Sequence, residues 1–152
     1  MVESIGKSSE VGHDRLRSTL RQIVRDWSKE SAAERELAYG PILETLDRLV
    51  DGLSEAEKRE YHVLVPGAGL GRLQFEICKR QMSAQGNECS MYMLMVSNYL
   101  LNHTASPLQH VIYPWLHSMT NVRNLQDLLQ PVQVPDVLPS ELSPGLMSMA
   151  SG

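Results

Sequence analysis

Aromatic side chains are scarce in this chain, at 5% of 152 residues. A platform that stacks nucleobases draws on a richer supply, and the net charge of -4 leaves out the basic face of a general nucleic-acid binder. Cysteine is nearly absent. Cys78 and Cys89 form no C-x-x-C pair, so reduced thiols in an intracellular protein are the simplest account. His103, His110 and His117 recur every seven residues, but Pro107 and Pro114 interrupt any shared helical face. No H-x-x-x-H pattern or Cys/His cluster exists, so no metal site is expected. His117 is expected as a structural histidine, with a place near a substrate pocket as the sharper alternative. The longest apolar-rich stretch, Met91 to Leu101, is broken by Ser97 and Asn98 and is too short to cross a bilayer. Met1 to His13 is polar and lacks the apolar segment of a signal peptide. These absences point to a soluble, cytoplasmic chain with neither nucleic acid nor membrane as partner. At 42% hydrophobic, it has the core of one domain.

What is present is concentrated between Tyr61 and Ser90. Tyr61-His62-Val63-Leu64-Val65 is short and apolar, the pattern of a buried parallel strand. Pro66-Gly67-Ala68-Gly69-Leu70-Gly71 stops it with residues that allow a tight turn and close approach of a ligand to the backbone. Leu73, Phe75, Ile77, Cys78 and Met82 then predict a helix over 72–82 with one buried side. A second strand over 83–87 ends in the acid Glu88. Strand, glycine loop, helix, strand and acid make the first half of a nucleotide-binding α/β unit. The loop presents N–H groups and the positive end of a helix to a ligand. A carboxylate about 20 residues past the glycines can accept hydrogen bonds from both ribose hydroxyls. The third position of a dinucleotide fingerprint falls on Arg72, and the G-K-S/T ending of a phosphate-cradling loop is missing.

On either side the patterns are helical or irregular. Leu16, Leu20, Ile23, Val24 and Trp27 predict an amphipathic helix from Asp14, and Gln22 and Arg25, three apart, can point the same way from it. Ser31-Ala32-Ala33-Glu34 has capping-box spacing and opens a second helix, with Leu43, Leu46, Leu49, Val50 and Leu53 on its apolar face and a kink at Gly40-Pro41. Ser54 and Glu57 can cap one further turn. Ser90 is an N-cap for a helix through Asn102, whose methionines are expected in the core. A short strand is expected over 110–114 and a short helix over 122–129. Pro131, Pro135, Pro139 and Pro144 mark an irregular connection to a strand beginning near Leu146.

Read together, the words around the loop are more specific. The run from Val63 to Leu73 resembles the carnosine N-methyltransferase family, as do Gln85-Gly86-Asn87-Glu88, Ser97-Asn98 and Tyr113-Pro114-Trp115. Arg25-Asp26-Trp27-Ser28 and Ala33-Glu34-Arg35 upstream fit the same family, and so do Pro135-Asp136-Val137 and Leu142-Ser143-Pro144-Gly145 downstream. One departure is Val65, where many S-adenosylmethionine-dependent methyltransferases carry an acid. The resemblance implies a Rossmann-like class I methyltransferase fold with an N-terminal helical cover, truncated after about three strands. The Ser/Gly/Glu-rich composition of 1–13 predicts a disordered end, followed by a helical 14–60 and an incomplete cofactor-binding 61–152. The resemblance implies S-adenosylmethionine as cofactor, with Gln22 and Arg25 at its carboxylate, Gly67 and Gly69 at close backbone approach, and Glu88 at the ribose. The implied reaction methylates the imidazole of carnosine to give anserine. Residues that bind the dipeptide, and any catalytic residue, are expected beyond Gly152. A homodimer and a nuclear pool are left open. The alternative is a non-catalytic interaction protein that keeps part of the cofactor site. A nicotinamide-dependent oxidoreductase is disfavoured by Arg72.

Overall fold

The computed structural model describes residues 2–116, 124–142 and 145–151. His117, the expected helix start at Val122, and Ser143, Pro144 and Gly152 lie outside them. The first helix, α1 (Val2–Trp27), is followed by α2 (Ala32–Leu49) and the short α3 (Glu55–Arg59). Strand β1 (His62–Pro66), α4 (Arg72–Cys78) and β2 (Ser83–Glu88) make the central unit, and α5 (Met91–His103) follows directly. Beyond it come β3 (His110–Ile112), α6 (Leu125–Leu128), β4 (Val132–Val134), a 3-10 turn over Pro139–Glu141, and β5 (Met147–Ser151). Strands β1, β2 and β5 form a parallel sheet with β2 in the middle, and β3 pairs antiparallel with β4. The architecture is α/β with a parallel sheet, compatible with a Rossmann-like fold.

Several local expectations change. Helix α1 starts at Val2 rather than Asp14; once a helix is nucleated, each added residue contributes a further hydrogen bond. Ser31 makes no side-chain cap, whereas Ser54 and Glu57 form a reciprocal capping box that holds the Glu57 carboxyl below its usual range. Pro41 sits inside a continuous α2. Helix α4 ends at Cys78, where a turn with Gln81 at positive φ reverses the chain into β2. Strand β4 was not anticipated: Pro131 and Pro135 bracket three residues that keep their N–H groups, and Val132 and Val134 alternate inward.

Two apolar clusters flank the glycine loop. One joins Ile23, Val24 and Trp27 of α1 to Leu70, Phe75, Leu100, Val132 and Val134. The other joins Leu43 and Val50 to Val65, Ile77, Cys78, Met82, Ala84 and Leu146. Burial pushes the Cys78 thiol up to about 11, and its Sγ donates to the Leu146 carbonyl. The methionine expectation for α5 fails at Met91 and Met95, which are 64% and 65% exposed because the helix packs on one side only. Strand β1 also departs from a doubly buried strand. Leu64 is 58% exposed, and with Gln85 and Ser148 it lies on a sheet face that no described helix covers.

Central strand β2 is polar in sequence yet fits, because small residues alternate inward. Ala84 and Gly86 face the core, and the buried carboxamide of Gln74 lies directly against Gly86 while donating to the Ser148 carbonyl at 3.0 Å. A methyl group at Gly86 would land on that carboxamide. Gly86→Ala is therefore expected to cost about 1–3 kcal/mol in urea unfolding, and adding Gln74→Ala should cost less than the two changes summed.

Candidate functional site

The glycine loop is a hydrogen-bonded turn at the carboxyl end of β1. Gly67, Gly69 and Gly71 all take positive φ, at 62°, 56° and 78°, a region that side chains with a Cβ rarely adopt. The turn is closed by Gly71 N–H donating to Ala68 O at 2.9 Å, and joined to β2 by Ala68 N–H donating to Asn87 O at 3.0 Å. At Gly71 the space is filled, with Met147 Cε 2.8 Å from where a Cβ would stand. At Gly67 nothing lies within 4 Å, so the loop backbone is open there.

Glu88, at the carboxyl end of β2, serves the loop directly. Its Oε2 accepts from Gly69 N–H at 2.9 Å, and its Oε1 accepts from Ser90 N–H at 2.7 Å, just ahead of α5. Each oxygen of a carboxylate has room for a second donor. Across the loop, Gln22 Nε2 stands 3.6 Å from the Cβ position of Gly69, and Asp26 Oδ2 stands 3.8 Å from it. Gln22, Gly69 and Glu88 thus converge on one point, although they are far apart in sequence.

Arg25 reaches this group through Asp26, a buried acid whose role the sequence did not disclose. Asp26 accepts from Gln22 Nε2 at 2.8 Å, from Arg25 Nε at 3.2 Å and from the Tyr39 hydroxyl at 3.1 Å. Arg25 Nη2 in turn donates to the Tyr39 oxygen at 3.4 Å. Burial opposes the Arg25 cation, but the hydrogen bond to Tyr39 and the charge of Asp26 outweigh it and raise its pKa. Burial, reinforced by the Asp26 charge, raises that of Tyr39. The guanidinium keeps donors beyond those spent here. A cleft of about 740 Å³ opens beside Gln22 and Arg25, with Trp115 among its lining residues.

Behind the loop lies a second group. Trp27 Nε1–H donates to Leu70 O at 3.1 Å, tying the loop to α1. Arg72, the residue in the place of a third small one, is turned inward: it is 6% exposed, pairs with Asp136 and Glu76, and lies over the Trp27 ring at 5.0 Å. Arg35 pairs with the other oxygen of Asp136. Burial, and then repulsion from Arg72, lower the Arg35 pKa. No group of metal-ligating side chains occurs among the described residues, and no described helix is long and apolar enough to cross a membrane.

Parallel strands, an open glycine loop and an acid at the neighbouring strand end define an α/β protein with an open loop over the carboxyl end of its sheet. Comparison with known proteins narrows that class. The family model described as carnosine N-methyltransferase matches residues 3–152. The carnosine N-methyltransferase of Mus musculus is 41% identical over 140 residues, covering 91% of this chain and 35% of the relative. That of Dictyostelium discoideum is 44% identical over 131 residues, covering 86% and 28%. In Drosophila melanogaster, carnosine N-methyltransferase unmet is 41% identical over 139 residues, covering 91% and 30%. The chain belongs to the carnosine N-methyltransferase family. It spans about a third of the length of the curated relatives it matches.

Proposed function

We propose that this chain holds the cofactor-binding site of an S-adenosylmethionine-dependent N-methyltransferase acting on the imidazole of carnosine, with a Rossmann-like class I fold. The convergence of Gln22, Gly69 and Glu88 carries the reading. The open backbone at Gly67 fits a ligand that approaches closely, and the loop lacks the features that hold phosphates. Arg25 and Gln22 would take the carboxylate of the cofactor, Arg25 with a two-pronged grip. Glu88 would take the ribose hydroxyls with its remaining lone pairs while still holding Gly69 and Ser90. Bound there, S-adenosylmethionine would supply the methyl group of its sulfonium to the lone-pair nitrogen of the neutral imidazole, the other ring nitrogen's proton passing to solvent, so that the products would be anserine and S-adenosylhomocysteine. An imidazole with a pKa near about 6.5 is largely neutral at pH 7, so little is asked of a base. The protein's work is alignment and stabilisation of the charge that moves to the ring. No catalytic residue is assigned within this chain.

Glu88→Ala removes a charged acceptor and the anchor of the loop. It is expected to weaken S-adenosylmethionine binding by about 1.5–3 kcal/mol, roughly ten- to a hundredfold, by calorimetric titration. The reaction itself is tested with methyl-labelled cofactor and carnosine, where labelled anserine supports the reading. A second reading, a non-catalytic interaction protein, is favoured by the exposed Leu64 face of β1. Anserine formed by the purified chain alone would remove it.

A further inference from the structure

The last two turns of α1 carry Gln22, Arg25 and Asp26, and the last three carbonyls of the helix are taken by groups from elsewhere. Arg35 Nη1 donates to Arg25 O at 3.0 Å and to Ser28 O at 2.6 Å. Arg72 Nη1 donates to Asp26 O at 3.0 Å, and the backbone N–H of Asp136 donates to Trp27 O at 2.8 Å. One carboxylate organises the set. Asp136 bridges the two guanidiniums, Oδ1 to Arg72 and Oδ2 to Arg35, with side-chain exposures of 9%, 6% and 7% in that order. Arg72 is also the first residue of α4, directly after the glycine loop. The Asp136 cluster therefore grips, at once, the turn that carries the cofactor donors and the end of the loop they face.

Bulk stability alone is a poor reason for this arrangement. Burying three charges costs desolvation, and apolar packing of similar volume often stabilises as well or better. Directional bonds to consecutive carbonyls set a register, which apolar packing does not. We propose that Asp136 is a positioning residue for the cofactor site, holding the α1 turn in register with the glycine loop through Arg35 and Arg72. The inference rests on the cofactor reading above.

The test is calorimetric titration of the full chain and its variants with S-adenosylmethionine, read beside the indole N–H resonance of Trp27, whose partner is Leu70 O. Asp136→Asn should weaken binding at least about tenfold and move the Trp27 signal, as a displaced donor set would. Arg35→Lys keeps the charge but has no second nitrogen to hold Asp136 while the first holds the two carbonyls, so a loss of about threefold or more is expected. If Asp136→Asn does not fold, Arg35→Lys decides alone. A folded variant that loses thermal stability but keeps the parent's affinity overturns the proposal, because the cluster would then be structural only. Lost affinity with the Trp27 resonance unmoved contradicts the register mechanism. A folded parent that takes up no cofactor sinks the cofactor reading and this inference with it. A parent that binds while both variants bind equally sinks the inference alone.

Discussion

Trp27→Ala is expected to destabilise the fold by about 3–5 kcal/mol, a large part of the roughly 5–15 kcal/mol that holds a domain together. The indole is fully buried, tilts against Phe75 at 5.5 Å, lies under the Arg72 guanidinium and donates to the Leu70 carbonyl. Truncation leaves a cavity between α1 and α4, an arginine without its aromatic neighbour and a loop carbonyl without its donor. Trp27→Phe separates these effects. It keeps most of the packing and loses the hydrogen bond, for an expected cost of about 1–3 kcal/mol. Urea unfolding followed by circular dichroism measures both. Equal costs for the two variants would mean that the indole N–H, rather than the ring, carries the whole effect.

Asp136→Ala is expected to be comparably damaging, at about 3–5 kcal/mol, since it leaves two buried guanidiniums facing each other without their shared counter-charge. The sign can be checked within the same cluster. Adding Arg35→Met and Arg72→Met to Asp136→Ala removes the unbalanced charges, so the triple variant should recover part of the loss even though it makes fewer polar contacts. Further loss on each addition, in unfolding experiments, would contradict the electrostatic account and point to packing instead.

Local periodicity and turn chemistry made the central unit legible. Val63 to Val65, the three glycines, and Phe75 to Cys78 each follow rules of their own segment, and Glu88 lies at a fixed distance from the loop. Gln22 and Arg25 were singled out through the family resemblance, since nothing local sets them apart from a solvated helical face. What stayed hidden was long-range. Arg35, Arg72 and Asp136 each stood inside a distinctive word of the sequence, yet no spacing rule announces that three such words meet in one ion cluster. Asp26 was concealed in the same way, because an acid beside an arginine on a helix usually faces water. Strand β4 was obscured by its flanking prolines. The exposure of Leu64 and Met95 is not legible for a different reason: apolar sequence tells what a residue prefers, not whether a neighbouring element covers it.

The most direct test of the cofactor site is calorimetric titration of the purified chain with S-adenosylmethionine, with Glu88→Ala alongside and circular dichroism confirming that both are folded. The account predicts saturable binding by the parent and affinity at least about tenfold weaker in Glu88→Ala. A folded, monomeric parent that takes up no S-adenosylmethionine, or a Glu88→Ala chain that binds it as tightly as the parent, would contradict it.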